Sequence, residues 1–191
     1  MEIDGSLNIV VPIDDPVQAF SAPLPESVFK ASYRVLARAN EEIFGRGMKA
    51  ALLTGPRTAA LAIADAGKRI AEEDGKEGDS GASAAFLAEV KRLTTILAPT
   101  DAGFDMLPVD SAIQSGKITA DDWSDVLGAL CFFTLGSQFE TKKARAGLLE
   151  FLTGALSCSL TLQNCEDYAA SLMTSKPAGA PRAKAALSVP V

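Results

Sequence analysis

From Val126 to Gly136 the chain reads Val-Leu-Gly-Ala-Leu-Cys-Phe-Phe-Thr-Leu-Gly, without a single charge. At helical spacing Trp123, Val126, Leu127, Leu130 and Phe133 leave no polar face, so a helix here must be enclosed by other elements. The run is too short to cross a bilayer and predicts a central, buried core helix. Its start is marked as well. Thr119-Ala-Asp-Asp resembles a capping box with Asp122 in the place of Glu, and Asp121, Asp122 and Asp125 crowd the end where the helix dipole favours negative charge.

Elements able to enclose it lie on both sides. Leu7, Ile9, Val11 and Ile13 alternate with Asn8, Val10 and Pro12, and Asp14-Asp15-Pro16 is a turn signal before a second extended stretch, Val17 to Leu24. These predict a β-hairpin. Pro12 and Pro23 cannot donate ladder hydrogen bonds, so each strand is expected to keep a free side, and a lone hairpin must rest on helices or on another chain. From Pro25, Phe29, Tyr33, Leu36 and Ile43 recur at helical spacing, ending near Gly45 and Gly47. Gly55-Pro56-Arg57 is read as the opening of a further helix, whose small face of Ala59, Ala60, Ala62, Ala66 and Gly67 admits a close neighbour. Residues 74–83 read as a flexible loop.

Phe86, Val90, Leu93 and Leu97 predict a helix stopped by Pro99. Phe104 to Val109 reads as extended, and Asp110 to Ser115 as one helical turn ending at Gly116. After a polar break from Glu140 to Arg145, Leu148, Leu149, Leu152, Leu156 and Leu160 resume helical spacing, and a short last helix is expected over 166–172. The fold expected is thus mainly α. An N-terminal β-hairpin (1–24) packs as one unit on a helical domain (25–172), followed by a disordered tail (173–191) of Ala, Pro, Ser and Gly.

Composition narrows the chemistry. The 191 residues include no His, which removes the Ser-His-Asp triad, the Cys-His dyad and His-ligated zinc. Eighteen Lys and Arg stand against 24 Asp and Glu, a net charge of −6 that argues against nucleic acid as a partner. No acidic residue follows Asp167, whereas Lys176, Arg182 and Lys184 do, so an acidic body carries a short basic end, read as solvated. The opening Met-Glu-Ile-Asp-Gly has neither basic nor apolar signal-peptide regions, which predicts a soluble, cytoplasmic protein without a membrane partner.

The remaining candidates each have a structural reading that outweighs the chemical one. Cys131 sits in Leu-Cys-Phe-Phe, and Cys158 and Cys165 lack a cation to activate them, so structural thiols in a reducing compartment are preferred to a 158–165 disulfide. Gly45-Arg-Gly47 and Thr54-Gly-Pro-Arg57 lack the rest of a phosphate loop. They read as a helix stop and a helix start, with Arg57 bracing a carboxylate. Asp121, Asp122 and Asp125 could face Mg²⁺ or Ca²⁺, but helix capping is the favoured role. Ser157, Ser159 and Ser171 have no base. Trp123, Phe132, Phe133 and Phe139 read as core. No catalytic, cofactor-binding or metal residue is assigned, and the partner-binding residues stay open.

Several of these segments, taken in order, are similar to a family. They are Ile3-Asp-Gly-Ser-Leu-Asn-Ile-Val-Val-Pro-Ile13, Pro25-Glu-Ser-Val-Phe29, Gly55-Pro-Arg57 and Lys91-Arg-Leu-Thr94 with Leu97-Ala-Pro99. Asp121-Asp-Trp123 with Ala129-Leu-Cys-Phe-Phe-Thr134, and Ser159-Leu-Thr-Leu-Gln-Asn-Cys-Glu-Asp-Tyr-Ala-Ala-Ser-Leu-Met-Thr-Ser-Lys-Pro177, complete the set. Over residues 3 to 177 the chain resembles the tail assembly chaperones of long-tailed bacteriophages. The resemblance implies a non-catalytic protein of the host cytoplasm, without cofactors. It would bind the helical tape-measure protein, keep it soluble while the tail tube assembles, and self-associate. It also implies that a second, frameshifted length can exist. The alternative is a structural virion component such as a connector or tail subunit.

Overall fold

The computed structural model describes residues 7–76, 78, 81–138 and 142–174. Strand β1 (Asn8–Pro12) turns at Asp14–Val17, with a cis bond between Asp15 and Pro16, into β2 (Gln18–Ser21). Four helices follow: α1 (Glu26–Ala31), α2 (Tyr33–Phe44), α3 (Met48–Glu73) and α4 (Ala82–Arg92). A second hairpin, β3 (Thr94–Thr100) and β4 (Gly103–Pro108), leads to α5 (Val109–Gln114) and α6 (Ala120–Gln138). The described chain closes with α7 (Lys142–Leu156), β5 (Ser159–Thr161) and α8 (Cys165–Thr174).

Helix predominates, as expected, but the strands go beyond the one hairpin expected. Its two strands are the interior of a five-stranded antiparallel sheet ordered β4-β3-β2-β1-β5. The free sides expected from the prolines are absent, because Pro12 pairs with Gln18 of β2 and meets no strand on its other side, and Pro23 falls outside the ladder. β5 reaches only from Asn8 to Val10, short of Pro12, and Pro23 lies beyond the end of β2. Both sides of the hairpin are therefore paired within this chain.

Two further strands come from segments expected to be helical. Leu97 follows Val90 and Leu93 at a helical interval, yet α4 ends at Arg92 and Leu97 sits in β3. The β-branched run Thr94-Thr95-Ile96 favours the extended form, and Ile96, Leu97 and Ala98 become fully buried there. Leu160 likewise leaves the α7 pattern for β5. Between them Ser157 adopts a left-handed conformation (φ 52°), Cys158 N–H bonds back to the Thr153 carbonyl at 3.1 Å, and the helix is closed by a Schellman turn.

The other helix boundaries shift in understandable ways. The Phe29–Ile43 stripe divides at Ser32 (φ −98°, ψ 5°) into α1 and α2, and Tyr33 points outward. α3 starts at Met48, just after Gly47 (φ 89°), not at Gly55. Pro56 is inside the helix, where its ring removes one backbone donor. Of the polar break, Glu140 and Thr141 lie outside the described residues, and Lys142 already belongs to α7. Phe139, part of the 74–83 loop and the tail beyond Thr174 also lie outside them, while Met173 and Thr174 belong to α8.

The core forms where α6 is enclosed. Cys131, Phe132 and Leu135 are fully buried among α2, α3, α7 and the inner sheet face, as the uncharged run requires. Asn40 Nδ2 donates to the Leu135 carbonyl at 2.8 Å and ties α2 to α6. The closest crossing is α3 against α6. A Cβ on Gly128 would overlap the Pro56 carbonyl oxygen, and one on Gly55 would overlap the Phe132 ring. Ala59, Ala62, Ala66 and Gly67 of the small face are buried, as expected of a face that admits close neighbours. Among the described residues no helix is long and apolar enough to cross a membrane.

Candidate functional site

The residues singled out from the sequence do not converge. Asp122 caps α6: the Thr119 N–H donates to its Oδ2 at 2.7 Å, and its own N–H donates to Thr119 Oγ1 at 3.1 Å. The Thr119 backbone N–H, and after it the Thr119 hydroxyl, hold the Asp122 carboxyl below its ordinary value. Asp121 and Asp125 are exposed, and no group of three His, Cys, Asp or Glu among the described residues is placed to hold a metal ion. Gly45 and Gly47 end α2. Arg57 is exposed on α3, and no described carboxylate pairs with it.

All three thiols are free, and none is activated. Burial pushes Cys131 up to about 12, and burial also raises Cys158 and Cys165. Ser157 is the helix-closing residue, Ser159 lies in β5, and Ser171 Oγ donates to the Tyr168 carbonyl at 2.7 Å. Trp123 packs against the core that contains Phe132 and Phe133.

What the fold builds instead is an apolar surface with a helix on it. Along β1, Ile9 and Val11 face the helical body while Val10 faces the other way. Phe20 of β2 and Leu97 of β3 join Val10 on that outer face. Helix α8 covers them. It begins with a reciprocal cap in which Asn164 Nδ2 donates to Asp167 Oδ2 and the Asp167 N–H donates to Asn164 Oδ1, both at 2.8 Å. Cys165, Tyr168, Ala169 and Leu172, spaced i, i+3, i+4, i+7, form its inward face.

Its attachment is light. Among the side chains of α8 that are described, Ala169, at 7% exposure, is the one buried, while Cys165, Tyr168 and Leu172 are half-buried. The Tyr168 ring tilts against Phe20 at 5.8 Å, and its hydroxyl shares a 3.0 Å hydrogen bond with Gln18 Oε1. Asn8 Nδ2 fixes the connection ahead of the helix by donating to the Gln163 carbonyl at 2.8 Å.

The cover is smaller than the face. Five strands spaced about 4.8 Å apart make a surface about 19 Å wide, whereas one helix is about 10 Å across. Grooves of about 650 and 500 Å³ flank the start of α8, with Met106, Thr95 and Cys165 in the first and Phe20, Pro23 and Leu162 in the second. Large apolar side chains stand at this margin: Leu162 (73% exposed), Met106, and Met173, which lies over Gly103. Two exposed leucines, Leu53 (75%) and Leu61 (68%), also stand on α3, with the exposed Arg57 midway between them.

The sequence reading did not find this outer face. Its signals were present in the unbroken runs Ile9-Val10-Val11 and Ile96-Leu97-Ala98, which mark strands covered on both sides, and in the spacing of α8. No family model, no curated protein and no solved structure matches this chain.

Proposed function

We propose that this chain is a non-catalytic tail assembly chaperone of a long-tailed bacteriophage, acting in the host cytoplasm on a tape-measure protein. The observation that carries the reading is the apolar margin around α8, with Leu162, Met106 and Met173 exposed, on a body whose candidate reactive residues stand apart. A long helical client presents apolar stripes that such a margin shields, in the manner of helix-in-groove recognition. The acidic net charge supports the same reading, since it keeps a concentrated complex soluble. The ordered resemblance over residues 3 to 177 supplies the identity of the client.

Co-expression tests the proposal. The tape-measure protein should be soluble with this chain, insoluble without it, and recovered with it in a pull-down. Equal solubility in both cases with no complex sinks the idea. Mass spectrometry of purified particles is the second measurement, because a chaperone should be missing from them. Finding this chain there in stoichiometric amount would favour a connector or tail subunit.

A further inference from the structure

We propose that the small cavity between the N-terminal hairpin, α4 and α6 is a hydration site, in which ordered water bridges the buried Ser137 hydroxyl to Thr134 and Ser21. The cavity measures about 80 Å³, and its walls include Val90 of α4 with Leu130 and Phe133 of α6. The three hydroxyl side chains line it too, and no charged residue is among the lining.

Ser137 is the residue that points to an occupant. It is only 5% exposed, yet its hydroxyl has no hydrogen-bond partner among the described residues. A buried hydroxyl without a partner gives up its hydration and receives nothing in exchange, so folded proteins nearly always supply one, from the chain or from water. The other two hydroxyls have capacity to share. Thr134 Oγ1 donates to the Leu130 carbonyl at 2.8 Å, which leaves its acceptor lone pairs unused. Ser21 Oγ accepts from Thr94 Oγ1 at 3.3 Å, while its own proton has only the Ala22 carbonyl, at a long 3.4 Å.

Water is the occupant that suits these groups. The volume is several times the roughly 10–15 Å³ that one water needs, and two to four polar partners are what a buried water takes. It is far below the roughly 300 Å³ at which pockets for small organic ligands begin, and an uncharged lining holds no ion. The bridge ties the last turn of α6 to the end of β2. This inference is independent of the chaperone reading.

The test is a high-resolution crystal structure of the full chain, paired with the stability of two variants. At least one ordered water should lie within hydrogen-bond distance of Ser137 Oγ and of Thr134 Oγ1 or Ser21 Oγ. In Ser137→Val, whose methyl groups fill the space and remove the hydroxyl, that water should be gone. Ser137→Ala keeps the space and is read by denaturation. Taking one partner from a bound water should raise the unfolding equilibrium constant about threefold, whereas removing a dry hydroxyl from a helix, with the better propensity of alanine, should lower it. A native structure in which Ser137 Oγ donates to the Phe133 carbonyl one turn back, with no ordered water beside it, overturns the proposal. So does a Ser137→Ala chain more stable than the native one.

Discussion

Single residues in this fold are constrained most where backbones approach. Gly128 lies against the Pro56 carbonyl, at the point where the proline has already removed one helical donor from α3. Alanine there brings better helix propensity, about 1 kcal/mol, but overlaps backbone that cannot rotate away, a cost of roughly 1–3 kcal/mol. Gly128→Ala should therefore lower the chemical denaturation midpoint. Gly154→Ala is the matched control: it is exposed on α7 with nothing within 4 Å of the added carbon, so it should gain up to about 1 kcal/mol. Ser157 makes the opposite case. A side chain in the left-handed region is strained, and glycine is the residue that ordinarily closes a Schellman turn, so Ser157→Gly should raise stability by roughly 1 kcal/mol in the same assay.

Elements depend on their ends, and α6 shows how much of that was readable beforehand. The capping box at Thr119 and Asp122 forms as the local spacing predicts, because it involves only residues three apart. Asp122→Asn should cost about 1 kcal/mol near neutral pH. Since the folded carboxyl lies below its ordinary 3.8, its contribution is complete above that value and is lost as pH falls through the folded one. The stability gap between native and Asp122→Asn chains should thus narrow below pH 3.8 in acid denaturation series. Strands β3 and β5 were not readable in that way. Leu97 and Leu160 each extend a helical apolar interval, and what turns them into strands is pairing with β2 and β1, nearly eighty and more than a hundred and forty residues away in sequence. Pro56 failed as a start signal for a related reason. The residues before it are good helix formers, and Gly47 had already supplied the boundary.

At the scale of the whole molecule, the arrangement is a thick helical layer, a five-stranded sheet, and one thin helix on the far side. That asymmetry ranks the three thiols. Cys131 is in the middle of the thick layer, with no exposure and a thiol pushed up to about 12, so only global unfolding releases it. Cys158 is buried at the edge of that layer, beneath the turn closing α7. Cys165 is half-exposed at the first turn of the thin layer, and local movement of α8 is enough to present it. Alkylation of the native chain should therefore proceed in the order Cys165, Cys158, Cys131, resolved by peptide mass spectrometry over time. Denaturant well below the unfolding midpoint should accelerate Cys165 alone. If Cys131 were to react together with Cys165 under those conditions, the two layers would open as one unit, and α8 would be part of the core and not its cover.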